Sequence, residues 1–448
     1  MDVTDAVFKA YDIRGTYPDQ IDEELAEQIG RAYVGEVAPG TVVVGHDMRP
    51  CAPGITDALV RGLTRAGASV TRIGLCSTPM LSYATGAGGY DGGIMVTASH
   101  NPAQYIGLKL ARKGCVPMSR DAGIGAMAEA IRNGDLPADA ATPGTVEDRD
   151  IRDDYVRMVT EHAKPGRRLK IVADAGNGMG GFEFPLVAAH LDVDVIPLYF
   201  ELDGSFPNHE ANPLNLDTLK ELQKAVVEQG ADFGAAFDGD ADRVGFIDEK
   251  GHVVTNDLAT ALLASDILAR EKGAVVYDLR SSKALAEEVV RHGGTPIRER
   301  VGHSFMKQTM RANNAVFGGE FSGHYYFREN FNTESASLAV IAMCNILGQD
   351  DTPLSQRIEP LRRYRNTGEV NFQVEDKAGR MRAVEEAFAD AKIDHLDGVT
   401  VEYPGWWCNV RPSNTEPFLR LTLEAIDPEE FEGAKRKLFD LLGTPISH

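Results

Sequence analysis

A serine stands where a buried strand is predicted to end. Residues 94–96 are apolar and suit a strand, whereas residues 97–102 (TASHNP) are small or polar and close with a proline. In an open α/β sheet, ligands bind beyond the carboxyl ends of the strands, so the hydroxyl of Ser99 would face a ligand there. Ser99 is therefore a candidate nucleophile, with an ordinary polar turn as the competing interpretation.

Three aspartates alternate along a second loop. Asp238, Asp240 and Asp242 would share one face of an extended backbone, with glycine and alanine between them. Carboxylates this close repel one another unless a cation lies among them, and a hard ion that prefers oxygen ligands fits best. We predict a Mg²⁺ site, with Arg243 as a neighbouring partner for phosphate.

Two other interpretations of the aspartate loop stay open from these residues alone. An EF-hand loop also alternates acids and ends in glutamate, which Glu249 supplies, but it needs glycine at the place of Arg243 and follows a helix. A phosphatase could use Asp238 as its nucleophile, which would leave the Ser99 loop without a role.

A glycine-rich segment matches a cofactor-binding pattern. Residues 176–181 (GNGMGG) satisfy G-x-G-x-x-G after a strand predicted over residues 170–173. No paired mononucleotide-binding half follows, so a tight strand-to-helix turn is the simpler interpretation. A dinucleotide-dependent oxidoreductase remains the distant alternative.

A third loop offers one acceptor and one donor. Glu320 and Ser322 stand one residue apart between glycines, at the spacing of adjacent sugar hydroxyls, although such a pair is commonly an ordinary turn. His303 follows Val301-Gly302 at a predicted helix start and by itself is an ordinary surface residue.

Three similar units carry these loops. A short β-branched run that ends in aspartate opens each unit, at residues 42–47, 171–174 and 275–278. A helix, a second strand, another helix and a third strand follow, which is the pattern of βαβ units and parallel sheets. The helices are predicted at residues 55–66, 181–190 and 283–292, the second strands at 69–73, 193–198 and 295–298, and the third strands at 92–96, 233–237 and 315–317. We predict three related α/β domains with mixed, largely parallel sheets, whose loops face a central cleft.

Composition changes along the chain divide it into four predicted domains. Their boundaries are residues 1–150, 151–252, 253–365 and 366–448. Strands at 370–374 and 419–423 and helices at 377–391 and 428–442 make the last one a smaller α+β domain. Its loop at residues 411–417 (RPSNTEP) is dense in donors and suits a phosphate.

Bulk composition limits the partners. The chain of 448 residues has 46 basic and 67 acidic residues and a formal net charge of -21, which argues against binding to nucleic acid or anionic lipid. Five scattered cysteines indicate neither a zinc site nor a disulfide framework. Because no segment approaches the apolar length of a membrane span, we expect a cytoplasmic protein with no membrane contact.

Five segments run in order along nearly the whole chain: residues 8–15 (FKAYDIRG), 97–102 (TASHNP), 238–243 (DGDADR), 319–324 (GEFSGH) and 411–417 (RPSNTEP). Together they resemble one family, the α-D-phosphohexomutases, and in particular the bacterial phosphomannomutase/phosphoglucomutase branch. The resemblance implies four domains around a cleft, the last with a TATA-binding-protein-like fold.

The resemblance also implies residue roles. Ser99 would be the phosphoserine, and it would share the metal with Asp238, Asp240 and Asp242. Glu320 and Ser322 would contact the sugar hydroxyls. The phosphate that is not transferred would meet Arg411, Ser413, Asn414 and Thr415. Charge and proton-transfer groups would be Arg14, His100, Lys109, Arg243, His303 and His324, and Tyr11 and Arg280 would also bind the substrate. Arg280 departs from the lysine that this branch often carries, which keeps the charge but makes a poor proton donor or acceptor.

The implied reaction is reversible phosphoryl transfer between C1 and C6 of a hexose phosphate, through phosphorylated Ser99 and a 1,6-bisphosphate, with Mg²⁺ as the cofactor. Mannose and glucose phosphates are the expected substrates, and we expect a monomer or a weak homo-oligomer. Phosphoglucosamine mutase is the alternative within the family. Its members typically have Ser-Gly-Thr in the last loop, where this chain has Ser413-Asn414-Thr415, and glutamine in place of Phe321.

Overall fold

The computed structural model describes residues 6–413 and 418–446 and contains four β-sheets that follow one another along the chain. Three sheets are mixed and belong to α/β units, and the fourth is antiparallel, which confirms the predicted fold class. None of the helices in the described ranges combines the length and the apolar character that crossing a bilayer requires.

The first sheet carries the Ser99 loop. Its strands are β1 (Ile13–Thr16), β2 (Thr41–His46), β3 (Ser69–Leu75), β4 (Gly92–Val96), β5 (Tyr105–Arg112), β6 (Val116–Pro117) and β7 (Val146–Asp148). The helices around it are Glu23–Val37, Ala52–Arg65, Thr78–Ala87 and Ile124–Asn133, with 3₁₀ turns at Lys113–Cys115 and Arg120–Ala122. The order is β1-β5-β4-β2-β3-β7, with β6 beside β5.

The second sheet carries the aspartate loop. Its strands are β8 (Leu169–Asp174), β9 (Val193–Leu198), β10 (Phe233–Phe237), β11 (Val244–Asp248) and β12 (Val253–Val254), in the order β12-β11-β10-β8-β9. The helices are Arg152–Thr160, Gly180–Ala188 and Lys220–Gln229, with a 3₁₀ turn at Leu216–Leu219. β12 lies just beyond the domain boundary predicted at residue 252. The glycine-rich segment forms the turn between β8 and the helix Gly180–Ala188.

The third sheet carries the Glu320 loop. Its strands are β13 (Ala274–Asp278), β14 (Thr295–Glu299), β15 (Phe317–Gly319), β16 (Tyr325–Phe327) and β17 (Thr333–Glu334), in the order β14-β13-β15-β16-β17. The helices are Asn256–Arg270, Lys283–Arg291, His303–Ala312, Ala336–Leu347 and Leu354–Ile358, with 3₁₀ turns at Arg328–Asn330 and Glu359–Leu361.

One strand order recurs in all three sheets. A second strand, a first strand, a third strand and an antiparallel fourth strand lie side by side as β3-β2-β4-β5, β9-β8-β10-β11 and β14-β13-β15-β16. Each chemically interesting loop therefore follows the third strand in the interior of its sheet, as the repeated sequence pattern predicts.

One predicted strand is displaced by two residues. The strand expected at residues 315–317 begins at Phe317 and ends at Gly319. The amide of Ala315 donates to the carbonyl of Met310 at 2.8 Å, which closes the preceding helix, so the ladder with Val275 starts only at Phe317.

The fourth sheet is antiparallel throughout. Its strands are β18 (Arg365–Gln373), β19 (Lys392–Asp394), β20 (Val399–Glu402), β21 (Trp406–Pro412), β22 (Phe418–Ala425) and β23 (Pro445–Ile446), in the order β19-β20-β21-β22-β18-β23. Two helices, Lys377–Ala387 and Pro428–Leu442, cover it. The first of them ends four residues before the predicted end at 391.

The first three domains share an apolar core, whereas the fourth has its own. One buried cluster includes Met95 from the first domain, Phe237 from the second and Phe317 from the third. A separate cluster, which includes Phe372 and Leu421, lies wholly within the fourth domain. The loops that carry Ser99, the three aspartates and Glu320 therefore stand on a common apolar support that excludes the fourth domain.

A buried carboxylate ties the three domains together. Glu183, only 1% exposed, accepts hydrogen bonds from Ser77 of the first domain, from Tyr155 OH at 2.8 Å in the second, and from Ser337 of the third. Ser77 also caps the helix Thr78–Ala87, where a serine followed by proline is a typical helix start.

Candidate active site

Ser99 follows β4 and faces the aspartate loop of the second domain. Its φ of 50° lies in the left-handed region, which is uncommon for a residue other than glycine. The Ser99 amide donates to Thr97 Oγ1 at 2.9 Å, and its hydroxyl donates to Asp238 Oδ2 at 2.8 Å. The candidate nucleophile and the first aspartate are therefore in direct contact.

The three aspartates fit a hard divalent ion. Asp238, Asp240 and Asp242 are buried, and each offers an oxygen within 4.8 Å of the others. Within the described chain, Asp240 Oδ1 is buried without a hydrogen-bond donor, whereas Asp242 Oδ1 lies 3.3 Å from His324 Nε2. Because buried acceptors are normally satisfied and Mg²⁺ prefers oxygen ligands, the unpaired oxygen of Asp240 matches the predicted metal.

Lys109 of β5 is the cation that faces these carboxylates. Its Nζ lies 2.6 Å from Asp240 Oδ2 and 2.5 Å from Asp242 Oδ2. Burial alone would lower the pKa of Lys109, but the surrounding aspartates raise it above its usual value. Burial, Asp242 and Asp240 raise the pKa of Asp238 well above its ordinary range. Lys109 therefore shares the compensation of these aspartates with Arg243, whose Nε lies 3.9 Å from Asp238 Oδ2.

The third loop meets the second through an arginine and a histidine. The Arg243 Nε donates to His324 Nε2 at 3.0 Å, and the amide of Val244 donates to the Gly323 carbonyl at 3.1 Å. His324 Nδ1 lies 3.1 Å from Glu320 Oε2, so the imidazole links the aspartate loop to the Glu320 loop.

A cavity of about 1050 Å³ opens where these loops meet, with walls from the first three domains. It is lined by these nine predicted site residues: Tyr11, Arg14, Ser99, His100, Lys109, Asp242, Arg243, His303 and His324. The structure therefore brings together residues from three domains that are far apart in sequence.

Two neutral histidines face this cavity. His100 Nδ1 lies 3.2 Å from Ser99 Oγ, and burial together with Arg243 holds the pKa of His100 well below its usual value. Burial and then Lys307 lower the pKa of His303 to about 3. The His303 ring packs against the edge of Tyr11, with 5.5 Å between the ring centroids. Both imidazoles are therefore uncharged at neutral pH, and each keeps a ring nitrogen that can accept a hydrogen bond.

The predicted sugar-reading pair is turned inward. Glu320, 2% exposed, accepts from Tyr326 OH at 2.5 Å and from the Gly302 amide at 3.2 Å. Ser322 Oγ lies 3.0 Å from His324 Nδ1. Among the described residues that line the cavity, neither of the pair is present, because their polar atoms face neighbours in their own domain.

The predicted distal phosphate residues form a separate cluster. Arg411 Nη2 lies 2.5 Å from Glu369 Oε2, and Arg280 Nη1 lies 3.7 Å from the same oxygen. Arg420 Nη1 lies 3.0 Å from Glu369 Oε1, which places three guanidinium groups around one carboxylate. Ser413 is the last described residue of this loop, and Asn414 and Thr415 lie outside the described residues.

Two residues at the site were missed from the sequence. Arg49 contacts the backbone of the Ser99 loop, and Thr78 donates to Asp240 Oδ2 at 2.5 Å. A signal for Arg49 exists, because the Asp-x-Arg pattern at residues 47–49 recurs at residues 278–280, at the end of the first strand in both units. Thr78 has no comparable signal beyond its place at a helix start.

Comparison with known domain families covers most of the chain. Residues 5–135, 153–251 and 255–364 match the alpha/beta/alpha domains I, II and III of phosphoglucomutase/phosphomannomutase. Residues 369–441 match the C-terminal domain of the same proteins. The fold and site thus define a phosphohexomutase, and the chain belongs to the phosphoglucomutase/phosphomannomutase family.

Individual relatives agree. The chain is 38% identical over 423 residues to "Phosphohexose mutases" of Xanthomonas campestris pv. campestris, covering 93% of this chain and 94% of the relative. It is 36% identical to a phosphomannomutase of Salmonella typhimurium, covering 97% and 98%. A solved phosphoglucomutase/phosphomannomutase family protein of Burkholderia thailandensis superposes with a TM-score of 0.90 at 31% identity, covering 98% of both chains.

Proposed function

We propose that this phosphohexomutase moves a phosphoryl group between C1 and C6 of mannose and glucose phosphates through a phosphorylated Ser99 and a 1,6-bisphosphate. The observation that carries the proposal is the contact of 2.8 Å between Ser99 Oγ and Asp238 Oδ2 at the wall of the cavity. Relatives named phosphomannomutase, and one from Pseudomonas syringae named phosphomannomutase/phosphoglucomutase, support the choice of sugars.

The proposed metal ligands are Asp238, Asp240, Asp242 and phosphorylated Ser99. Mg²⁺ held there would neutralise negative charge on the phosphoryl group that is transferred. The buried Asp240 Oδ1, which has no hydrogen-bond donor among the described residues, supports this assignment. Lys109 and Arg243 add fixed positive charge beside the same group, since both line the cavity.

Proton handling falls to the two neutral histidines. When the phosphoryl group leaves Ser99 for a sugar hydroxyl, the bond from phosphorus to Ser99 Oγ breaks as the bond to the sugar oxygen forms. A proton moves from the sugar hydroxyl, beside which we place His303, to Ser99 Oγ. His100, with Nδ1 at 3.2 Å, relays that proton at the serine side, assisted by the Lys109 ammonium.

The substrate contacts divide between two regions. Tyr11, Arg14, Arg243 and His324 belong to the cavity and would hold the reacting end. Arg280, Arg411, Ser413, Asn414 and Thr415 would hold the other phosphate, and Glu320 and Ser322 would read the sugar hydroxyls. Because one substrate molecule must reach both regions, we expect the fourth domain to close toward the cavity when substrate binds.

The test is turnover of mannose, glucose and glucosamine 1-phosphates side by side, with Mg²⁺ and a hexose 1,6-bisphosphate activator. We expect turnover of the first two sugars and little of the third; preferred use of glucosamine 1-phosphate would favour phosphoglucosamine mutase instead. Intact-mass analysis should find one phosphate on the wild type and on Ser205→Ala, an exposed control serine, and none on Ser99→Ala. A phosphate retained by Ser99→Ala would overturn the nucleophile. Monomeric or weakly oligomeric assembly and a cytoplasmic location stay predictions.

A further inference from the structure

Arg49 binds the backbone of the Ser99 loop. It is only 1% exposed, and its Nη2 donates to the carbonyls of Ser99 at 2.9 Å and Asn101 at 2.6 Å. Its Nη1 donates to the carbonyls of Pro102 and Tyr105, both at 2.9 Å. Four carbonyls of one loop therefore converge on a single guanidinium group.

Asp47 orients this guanidinium and reaches the same loop by a second route. Asp47 Oδ1 accepts from the Arg49 amide at 3.0 Å, and Oδ2 lies 3.3 Å from Arg49 Nε. Oδ2 also accepts from Thr97 Oγ1 at 2.6 Å, and Thr97 Oγ1 in turn accepts from the Ser99 amide at 2.9 Å. Both backbone polar groups of Ser99 are therefore bound to one buried network.

The second domain closes the other side of this network. The Phe206 ring lies over the guanidinium, 5.2 Å from Arg49 Cζ. Gly239 lies so close that a Cβ there would come within 2.2 Å of the Ser99 carbonyl oxygen. The Ser99 backbone is thus held between Arg49 and Gly239, in its left-handed conformation.

The turns that follow β8 and β13 correspond to the turn that carries Arg49, but neither of them supports the backbone of the Ser99 loop. In the third unit the Arg280 amide makes the same contact with Asp278 Oδ1 at 2.9 Å, but its guanidinium faces Glu369 of the fourth domain. In the second unit Gly176 stands at this place. Of the three turns, only that of Arg49 supports the backbone of the loop that carries the serine.

We propose that Arg49 is a positioning residue for the nucleophilic serine. It holds the backbone of residues 99–105 so that the Ser99 hydroxyl points at Asp238 and the reacting end of the substrate. This inference rests on the proposed role of Ser99. Lysine cannot replace Arg49, because one ammonium nitrogen with three N–H groups cannot reach four carbonyls that a planar guanidinium spans.

The test is Arg49→Lys, with Arg72→Lys as the matched control, since Arg72 forms an exposed pair with Asp148. Phosphoryl transfer from glucose 1,6-bisphosphate to dephosphorylated Ser99 is followed in a single turnover by intact mass. We expect transfer to slow about 100-fold in Arg49→Lys, because displacement of a reacting atom by about 1 Å has that effect. The Kd of hexose phosphate and of Mg²⁺ should change less than about threefold, since Arg49 touches neither site directly.

Transfer at the wild-type rate, or a loss that appears only as a weaker Kd, would overturn the positioning role. If Arg49→Lys does not fold, Asp47→Asn keeps the guanidinium but weakens its orientation, and it should slow the same step; an unchanged rate would again overturn the role. Failure of the wild type to accept phosphate on Ser99 would overturn the proposed function itself, so the two failures are distinguishable.

Discussion

At the scale of single residues, charge balance determines what the aspartate loop can bind. The Nζ of Lys109 lies 2.6 Å from Asp240 Oδ2 and 2.5 Å from Asp242 Oδ2. The ammonium group is therefore a cation among these carboxylates. A bound Mg²⁺ and the Lys109 ammonium group would therefore compete for the negative charge of the same carboxylates. Lys109 stabilises the cluster of aspartates and also limits how tightly an ion is held.

Replacing Lys109 should strengthen metal binding and weaken catalysis. In Lys109→Met we expect Mg²⁺ to bind at least about tenfold more tightly, because a competing positive charge is gone. Turnover should fall about 100-fold, because the fixed charge beside the transferred phosphoryl group is also lost. Calorimetric titration with Mg²⁺ and a coupled turnover assay measure the two effects.

Lys113→Met is the matched control, because Lys113 is 72% exposed and pairs with the peripheral Asp91. Lys113→Met should change neither the affinity for Mg²⁺ nor the turnover. Weaker Mg²⁺ binding in Lys109→Met would show that the lysine supports the ion rather than competes with it.

His303 makes stability depend on pH in a defined direction. Its pKa is about 3 in the folded protein against an ordinary 6.5, so between these values the unfolded chain binds a proton that the folded chain does not. The contribution of His303 to the free energy of unfolding therefore rises as the pH rises from about 3 to 6.5, and it is fully present above pH 6.5. His303→Asn should lose less stability than the wild type between pH 7 and pH 5 in urea unfolding, whereas the exposed His395→Asn should match the wild type. Equal pH sensitivity in His303→Asn would contradict the low pKa.

At the scale of elements, loops from different sheets approach so closely that one side chain would separate them. Gly239 lies against the carbonyl of Ser99, and the two loops belong to the ends of β10 and β4. The backbone φ of Gly239 is not in the left-handed region, so glycine is not needed for its backbone conformation. It is needed because a side chain would have no space. Catalytic geometry therefore depends on contact between two sheets.

Gly239→Ala should nearly abolish turnover. The new Cβ would come 2.2 Å from the Ser99 oxygen, so the two loops must separate and the serine moves away from Asp238. We expect at least about a 100-fold loss of kcat in the coupled assay. Gly433→Ala is the control, since no atom lies within 4 Å of its Cβ position on the helix Pro428–Leu442, and it should raise stability by about 0.5–1 kcal/mol without changing turnover. Normal activity in Gly239→Ala would mean that the contact is not needed.

The sequence predicts elements better than contacts. β4, β10 and the helix Pro428–Leu442 have the predicted bounds, because apolar periodicity and caps are local signals. The bond from Arg49 to Asn101 spans 52 positions, and local patterns carry no information about such pairing. Glu320 was correctly placed on a loop, but its inward contacts depend on how β16 returns beside β15.

At the scale of the whole molecule, the fourth domain is joined to the third by polar contacts. The Lys283 amide donates to Glu424 Oε1 at 2.9 Å, and Arg298 Nη2 lies 2.5 Å from Asp394 Oδ2. The apolar cores of the two domains are separate. Polar interfaces between domains permit relative motion, so the fourth domain can move without disturbing the other three.

Substrate binding should therefore make the molecule more compact. A 1,6-bisphosphate that bridges the cavity and the Arg411 cluster would draw the fourth domain inward and keep the intermediate from escaping. Small-angle scattering with and without a non-reacting bisphosphate analogue should show a smaller radius of gyration when the analogue is bound. Arg411→Ala should reduce this compaction, and identical profiles for the free and bound wild type would contradict closure.

The self-contained core of the fourth domain also makes it an exchangeable module. Replacing it by its counterpart from a relative would leave the serine, the aspartates and their shared apolar support untouched. Such a chimera would separate recognition of the remote phosphate from the chemistry of transfer, and it offers a route to altered sugar preference without redesign of the reaction centre.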